Sequence, residues 1–199
     1  APLLPQVSVG VNPQGLCPLH LWQMDVTHFL EFGKLKYIHV SIDTASGVIF
    51  ASLHSGENAR HVIAHCFEAW DAWGQPKELK TDNGMAYTSA SFVYFCKMMG
   101  ARMTHGLPYN SQGQAIIERA HHTLKECLIK EKGGFASVGS TPRERLAIAL
   151  FTLNFLNEDK HGRVTAERHV NPDVSPKVMV TWKDVLTGCW KGPDPVLVW

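Results

Sequence analysis

The chain has 199 residues, 45% hydrophobic and 19% charged, with a net charge of +1. These values are ordinary for one globular domain with a proper core and a short appendage, and they exclude a disordered or fibrous chain. The near-neutral balance excludes nucleic-acid binding by bulk charge, so any such binding has to come from local patches or bound metal ions. Cys17, Cys66, Cys96, Cys127 and Cys189 are scattered without a CxxC pair and read as free thiols in a reducing compartment. No apolar run is long enough to span a bilayer and no signal peptide is visible, so no membrane partner is expected. The chain begins without Met and stops on "PVLVW" inside a strand-like stretch, as a piece of a longer polypeptide would.

Residues 1–18 hold four prolines and read as an extended linker. Strands follow at 20–29, 36–44 and 47–54, the last two joined by the turn chemistry of "DTASG". Three strands with short joins suggest an antiparallel meander. Ala59, Val62, Ile63, Cys66, Phe67, Trp70 and Trp73 then recur at helical spacing, with Ser55 as candidate N-cap and Gly74 as the stop. "ELKTD" (78–82) is a short strand ending at Asp82. Ser89 starts a helix expected to bury Phe92, Phe95, Cys96 and Met99 and to end at Gly100. "RMTHG" (102–106) is another short strand, and "LPYNSQGQ" a loop. The segment 107–113, with Pro108, Asn110 and Gly113, is expected to be weakly ordered beside the next helix.

A long helix is expected from about Gly113 to Lys132, closed by Gly133 and Gly134. Another begins at "TPRE" (141–144), where Thr141, Pro142 and Glu144 make a capping box. To about Asn157 it is apolar nearly all round, so it is buried in the domain or against a partner subunit. Strands that alternate with helices favour parallel pairing through right-handed crossovers. The expected fold is α/β: a mixed five-stranded sheet flanked by helices.

"LHLWQMDVTHF" (19–29) alternates like a strand yet carries Asp25 near its middle, where a carboxylate is disfavoured and expensive to bury unpaired. Asp82 ends the fourth strand, and functional groups gather at the carboxyl ends of strands in open α/β sheets. Taken alone, Asp82 is an Asx-turn residue. On the long helix Gln114, Glu118, His121, His122 and Lys125 share a broad face, opposite Ile117, Ala120, Leu124 and Leu128. Taken alone, Glu118 is a solvated helix position. Three carboxylates brought together repel, so their pKa values rise or a cation holds them. Oxygen-only ligands favour Mg²⁺ or Mn²⁺ over zinc. Two such ions about 3.5–4 Å apart can activate an attacking oxygen and stabilise a leaving one at phosphorus.

His61 and His65 have the i, i+4 spacing that zinc uses, but no Glu or Cys accompanies them in the expected pattern. They read as a helix surface, and no zinc site is expected in this chain. His121 and His122 are adjacent and point apart. Ser/His/Asp catalysis has no support, since GxSxG is absent. The residues alone leave two readings open, metal-dependent phosphoryl transfer or a structural α/β domain.

"WQMDVTH", "KTDNG" and "GLPYNSQGQAIIERAHHTLK" resemble, in order and context, the three catalytic signatures of retroviral integrases. The 35 residues between Asp82 and Glu118 match that family's D,D(35)E spacing. The resemblance runs through "TLNFLNEDKHGRVTAERH" and into "WKDVLTGCWKGPDPVLVW", and its wording is nearest to betaretroviral integrases of the mouse mammary tumour virus kind. It implies a ribonuclease H-like core and a polynucleotidyl transferase that trims viral DNA 3′ ends and joins them to target DNA. It further implies Asp25, Asp82 and Glu118 as catalytic ligands of Mg²⁺, with Mn²⁺ able to substitute. Tyr109, Gln114 and Lys125 match positions that touch viral DNA. The expected organisation is a linker over 1–17 from a missing N-terminal zinc domain, the core over 18–172, and a linker with the truncated start of an SH3-like domain over 173–199. A homodimer of the core and a higher oligomer in the active complex are implied, located in the virion and then in the host cytoplasm and nucleus with the preintegration complex. A ribonuclease H-like nuclease or transposase, and a domesticated DNA-binding module, are the alternatives. The first often differs in its third carboxylate or in the gap before it, and the second would be expected to have lost a ligand.

Overall fold

The computed structural model describes residues 14–105, 114–130, 141–172, 179–184 and 187–195. Strands β1 (Leu21–His28), β2 (Tyr37–Asp43) and β3 (Ile49–His54) form the expected antiparallel meander. Strands β4 (Glu78–Thr81) and β5 (Arg102–His105) add parallel to β1, giving the order β3-β2-β1-β4-β5. The "DTASG" turn is built by Asp43, whose Oδ1 accepts from the Ala45 and Ser46 N–H groups at 2.9 and 2.8 Å. Its Oδ2 accepts from Leu19 N and Trp22 Nε1, which ties the turn to the start of β1.

Alternation in the central strands serves two cores, one on each face. Trp22 and Met24 of β1 pack with Val62, Cys66, Leu79 and Phe92. Ile38, Val40 and Ile42 of β2 pack with Ile117, Leu124 and Leu146. Helices α1 (Ala59–Trp73) and α2 (Ala90–Met99) cover the first face; α3 (Ala115–Lys130) and α4 (Pro142–Phe151) cover the second.

The caps are mostly those the sequence shows. Ser89 accepts from Phe92 N at 3.3 Å, and Gly100 ends α2 in the left-handed region at φ 75°. Thr141 and Glu144 exchange the two bonds of a capping box at 3.3 and 2.6 Å. At α1 the expectation fails: Asn58, not Ser55, is the cap, accepting from His61 N. Residues 55–57 instead carry the chain over from β3, and the Gly56 carbonyl accepts from His39 Nε2 at 2.9 Å. Strand β4 stops at Thr81, one residue before Asp82. Met99 is 37% exposed rather than buried, because it lies in the last turn of α2, past the Phe92–Phe95–Cys96 stripe.

His65 is also not on a surface. It is fully buried between Ser41 Oγ and Ser52 Oγ, each at 2.7 Å from a ring nitrogen. Here β2 and β3 present hydroxyl and imidazole groups to α1 rather than apolar ones, so a polar helix position faces inward. Burial holds His39 and His54 neutral, with pKa values near 4.

The apolar helix from Pro142 ends at Phe151 and continues as a π-helical turn, Thr152–Leu156. Within it Asn154 is buried, pairing both ways with the Ile49 backbone at 3.0 and 2.7 Å. Leu146, Ala149 and Leu153 face inward, while Phe151, Phe155 and Leu156 remain exposed. Helix α5 (Thr165–Val170) docks through His169, and a two-stranded antiparallel hairpin follows, β6 (Met179–Lys183) and β7 (Trp190–Pro195). The loop expected over 107–113, the expected helix end at Lys132, and the expected stop at Gly133 and Gly134 lie outside the described residues.

Candidate active site

The sheet register brings Asp25 and Asp82 together. The last paired residues of β1 and β4 are Gln23 and Lys80, and each aspartate lies two residues further on. Adjacent strands run about 4.8 Å apart. Beyond Gln23, β1 keeps only its β2 partner, which opens the Asp25 side of the strand. A pocket of about 580 Å³ forms there, with Asp25, Glu57, Asn58, Asp82, Met85 and Tyr87 among its lining.

Asp25 is partly enclosed, its side chain 27% exposed. Its Oδ1 accepts from Val26 N at 2.8 Å, and its Oδ2 lies 3.8 Å from His121 Nδ1. Burial pushes its pKa from 3.8 up to about 6; the charges of Asp82, Glu118 and Glu57 push the same way against the Val26 hydrogen bond. Asp82 is held by an Asx turn, Oδ1 accepting from Gly84 N at 2.8 Å. A Cβ on Gly84 would come within 2.9 Å of that oxygen, so a larger residue there would push the Asp82 carboxylate aside. The Asx turn expected of Asp82 is present: it fixes one oxygen, and the residue lines the pocket.

Glu118 arrives from the opposite layer, on the first turn of α3. Gln23 Oε1 accepts from Ile117 N at 3.1 Å and pins this helix start to β1. Glu118 is exposed and acts on Asp25 through its charge, but it does not line the pocket. Among the described residues, no three carboxylate, imidazole or thiolate side chains converge on one point. The pocket thus joins two of the three expected carboxylates, with the third approaching from α3.

Of the expected DNA contacts, Gln114 sits half-buried at the entry to α3, and Lys125 is half-buried two turns beyond Glu118. Burial, then the Lys125 charge, lowers the His121 pKa to about 4; His121 Nδ1 lies 3.8 Å from Asp25 Oδ2, and Lys125 follows it by one turn of α3. Tyr109 lies outside the described residues. His122 points away, toward Glu126 at 3.3 Å, so the two adjacent histidines do diverge.

Glu57, Asn58 and Tyr87 also line the pocket, and none of them stands out in the sequence as a site residue. Asn58 is half legible, as a cap-type residue ahead of a helix. Glu57 and Tyr87 carry no local signal, because their relation to Asp25 comes from the crossover after β3 and the turn after β4.

The integrase core domain model matches residues 15–111, and the integrase DNA binding domain model matches residues 180–199. The chain is 57% identical over 195 residues to the Pol-related polyprotein of a mouse intracisternal A-particle, covering 98% of this chain and 22% of the polyprotein. It is 52% identical over 198 residues to the Gag-Pro-Pol polyprotein of simian retrovirus SRV-2, covering 98% of this chain and 11% of that protein. The chain therefore spans less than a quarter of these relatives. Among solved structures, the simian T-cell lymphotropic virus intasome in complex with the PP2A regulatory subunit B56 gamma matches with a TM-score of 0.73. The identity there is 30%, over 93% of this chain and 71% of that chain. The HTLV-2 integrase catalytic core domain, solved in complex with magnesium in a dimeric form, matches with a TM-score of 0.67. It is 29% identical, over 80% of this chain and all of that chain.

The five-stranded mixed sheet with helices on both faces and acidic groups where β1 and β4 part is a ribonuclease H-like fold. The chain belongs to the retroviral integrases, as a catalytic core of the betaretroviral kind.

Proposed function

We propose that this core is a divalent-metal-dependent polynucleotidyl transferase, which processes viral DNA 3′ ends with water and then joins them to target DNA. The observation that carries the reading is the meeting of Asp25 and Asp82 where β1 and β4 part, with Glu118 acting on Asp25 from α3. Asp25, Asp82 and Glu118 would hold Mg²⁺, or Mn²⁺ in its place. The donor set fits: these are oxygen ligands only, and a hard cation would offset the burial and the neighbouring negative charge that together raise Asp25. Two bound ions would activate the attacking oxygen and stabilise the leaving one.

The chain's own residues supply position. The Asx turn presents Asp82, the Gln23–Ile117 bond sets the height of α3, and Lys125 stands about 10.5 Å along the helix from Glu118 at 1.5 Å per residue. That reach suits a phosphate just inside the reacting DNA end; Gln114 and Tyr109 are further proposed contacts to it. The exposed Phe151, Phe155 and Leu156 face supports a two-fold homodimer within a larger active assembly, working in the virion and then in the preintegration complex. The test is a joining assay with short viral-end duplexes and Mn²⁺. Wild type should join; Asp82→Asn and Glu118→Gln should not, while remaining folded. Joining that survives Glu118→Gln would refute the assignment.

A further inference from the structure

Tyr87 sits against the pocket on the side of α1 and α2. Its N–H donates to the Gly84 carbonyl at 3.0 Å, so the turn that presents Asp82 also fixes Tyr87. Its ring meets Phe92 edge-on at 5.9 Å within the core. The residue is 3% exposed, yet its buried hydroxyl has no hydrogen-bond partner among the described residues. A buried hydroxyl left unpaired costs about 1–3 kcal/mol, and phenylalanine would keep the ring without that cost. Unpaired polar groups in native sites call for a functional account.

The surroundings indicate what the hydroxyl serves. Burial first, then the charges of Asp25, Asp82, Cys66 and Glu57, raise its pKa well above the usual value, so it keeps its proton and is available as a donor. Glu57 lines the same pocket at the entry to α1, outside the expected carboxylate set. Its Oε2 lies 3.4 Å from His28 Nε2, which tethers it at the end of β1. A donor and an acceptor of this kind in the lining of one pocket are the partners that hold an ordered water. Mg²⁺ keeps several of its waters, and groups outside its direct ligands orient them.

We propose that Tyr87 and Glu57 are positioning residues of this site, holding a hydration water of the divalent ion between the Tyr87 hydroxyl and the Glu57 carboxylate. The inference rests on the metal-dependent reading above. It extends that reading to two residues that are not themselves metal ligands.

The test is Mn²⁺ binding to the DNA-free chain, read by electron paramagnetic resonance, beside thermal unfolding in EDTA. The proteins are wild type, Tyr87→Phe, Glu57→Gln, the double variant and Asp82→Asn. In EDTA, Tyr87→Phe should be at least as stable as wild type, because it removes an unpaired donor. Each single variant should weaken Mn²⁺ binding by about 10-fold. The double variant should lose less than the product of the two, since both act on one water. Unchanged affinity in the single variants, strictly multiplicative losses, or a Tyr87→Phe chain destabilised in EDTA would each overturn the inference. If Asp82→Asn binds Mn²⁺ as wild type does, the metal-dependent reading itself fails, and the inference falls with it.

Discussion

Asp25→Asn should make the metal-free protein more stable while removing its activity. The side chain is ionised at neutral pH against a folded pKa of about 6, where an unfolded carboxyl sits at 3.8. At about 1.4 kcal/mol per tenfold change in proton affinity, that difference carries about 3 kcal/mol of unfavourable interaction. Because the folded value is raised, stability is fully present below about pH 3.8 and is lost as the pH rises through about 6. Asparagine carries no charge, and its Oδ1 can still accept from Val26 N–H. At pH 7.5 in EDTA the variant should unfold about 6–12 °C above wild type, from about 2–4 °C per kcal/mol for a chain of this size. The gain should shrink toward zero as the buffer is taken down toward pH 4. Thermal unfolding followed by circular dichroism across that range reads both quantities. A variant less stable than wild type at pH 7.5, or a gain that does not vary with pH, would refute the electrostatic account of this site.

Three further outcomes are expected. Lys125→Ala should weaken viral-end DNA binding and reduce the salt slope of log affinity by about one unit, while Mn²⁺ binding to the free protein stays the same; an unchanged slope would make this lysine mere surface. His39 is fully buried with its pKa lowered to about 4, so its contribution is intact above pH 6.5 and is lost as the pH falls toward 4, about 3 kcal/mol in all. His39→Gln should therefore flatten acid unfolding, and parallel stability curves for the two proteins would contradict it. Phe151 is 54% exposed and stacks on Phe155 at 5.3 Å, so Phe151→Glu should turn a dimer into a monomer at micromolar concentration by sedimentation; a wild-type monomer would remove the basis for that face.

What could be read in the sequence follows from how local each signal is. The meander, the alternation in β1, the Ser89 and Thr141 caps and the stops at Gly74 and Gly100 depend on neighbouring residues, and they appear as expected. The buried stripe of α3 is likewise legible, because its period alone places Ile117, Ala120, Leu124 and Leu128 inward. His65 was misplaced because no helical periodicity shows that β2 and β3 offer Ser41 and Ser52 to it. The site divides in the same way. Asp25 stood out as a charge inside a strand, and Asp82 as a residue leaving one. Their adjacency depends on a parallel register that no short segment encodes. Glu57 and Tyr87 were invisible for that reason, since each meets Asp25 only through a crossover or a turn.

The central claim is that Asp25, Asp82 and Glu118 share a divalent cation. Crystals of this chain grown with a viral-end duplex and soaked in Mn²⁺ test it directly, with data collected at the manganese absorption edge. Anomalous peaks should lie within about 2.3 Å of carboxylate oxygens from all three residues, with oxygen ligands completing each ion. Manganese bound elsewhere, or held without Glu118, would contradict the account.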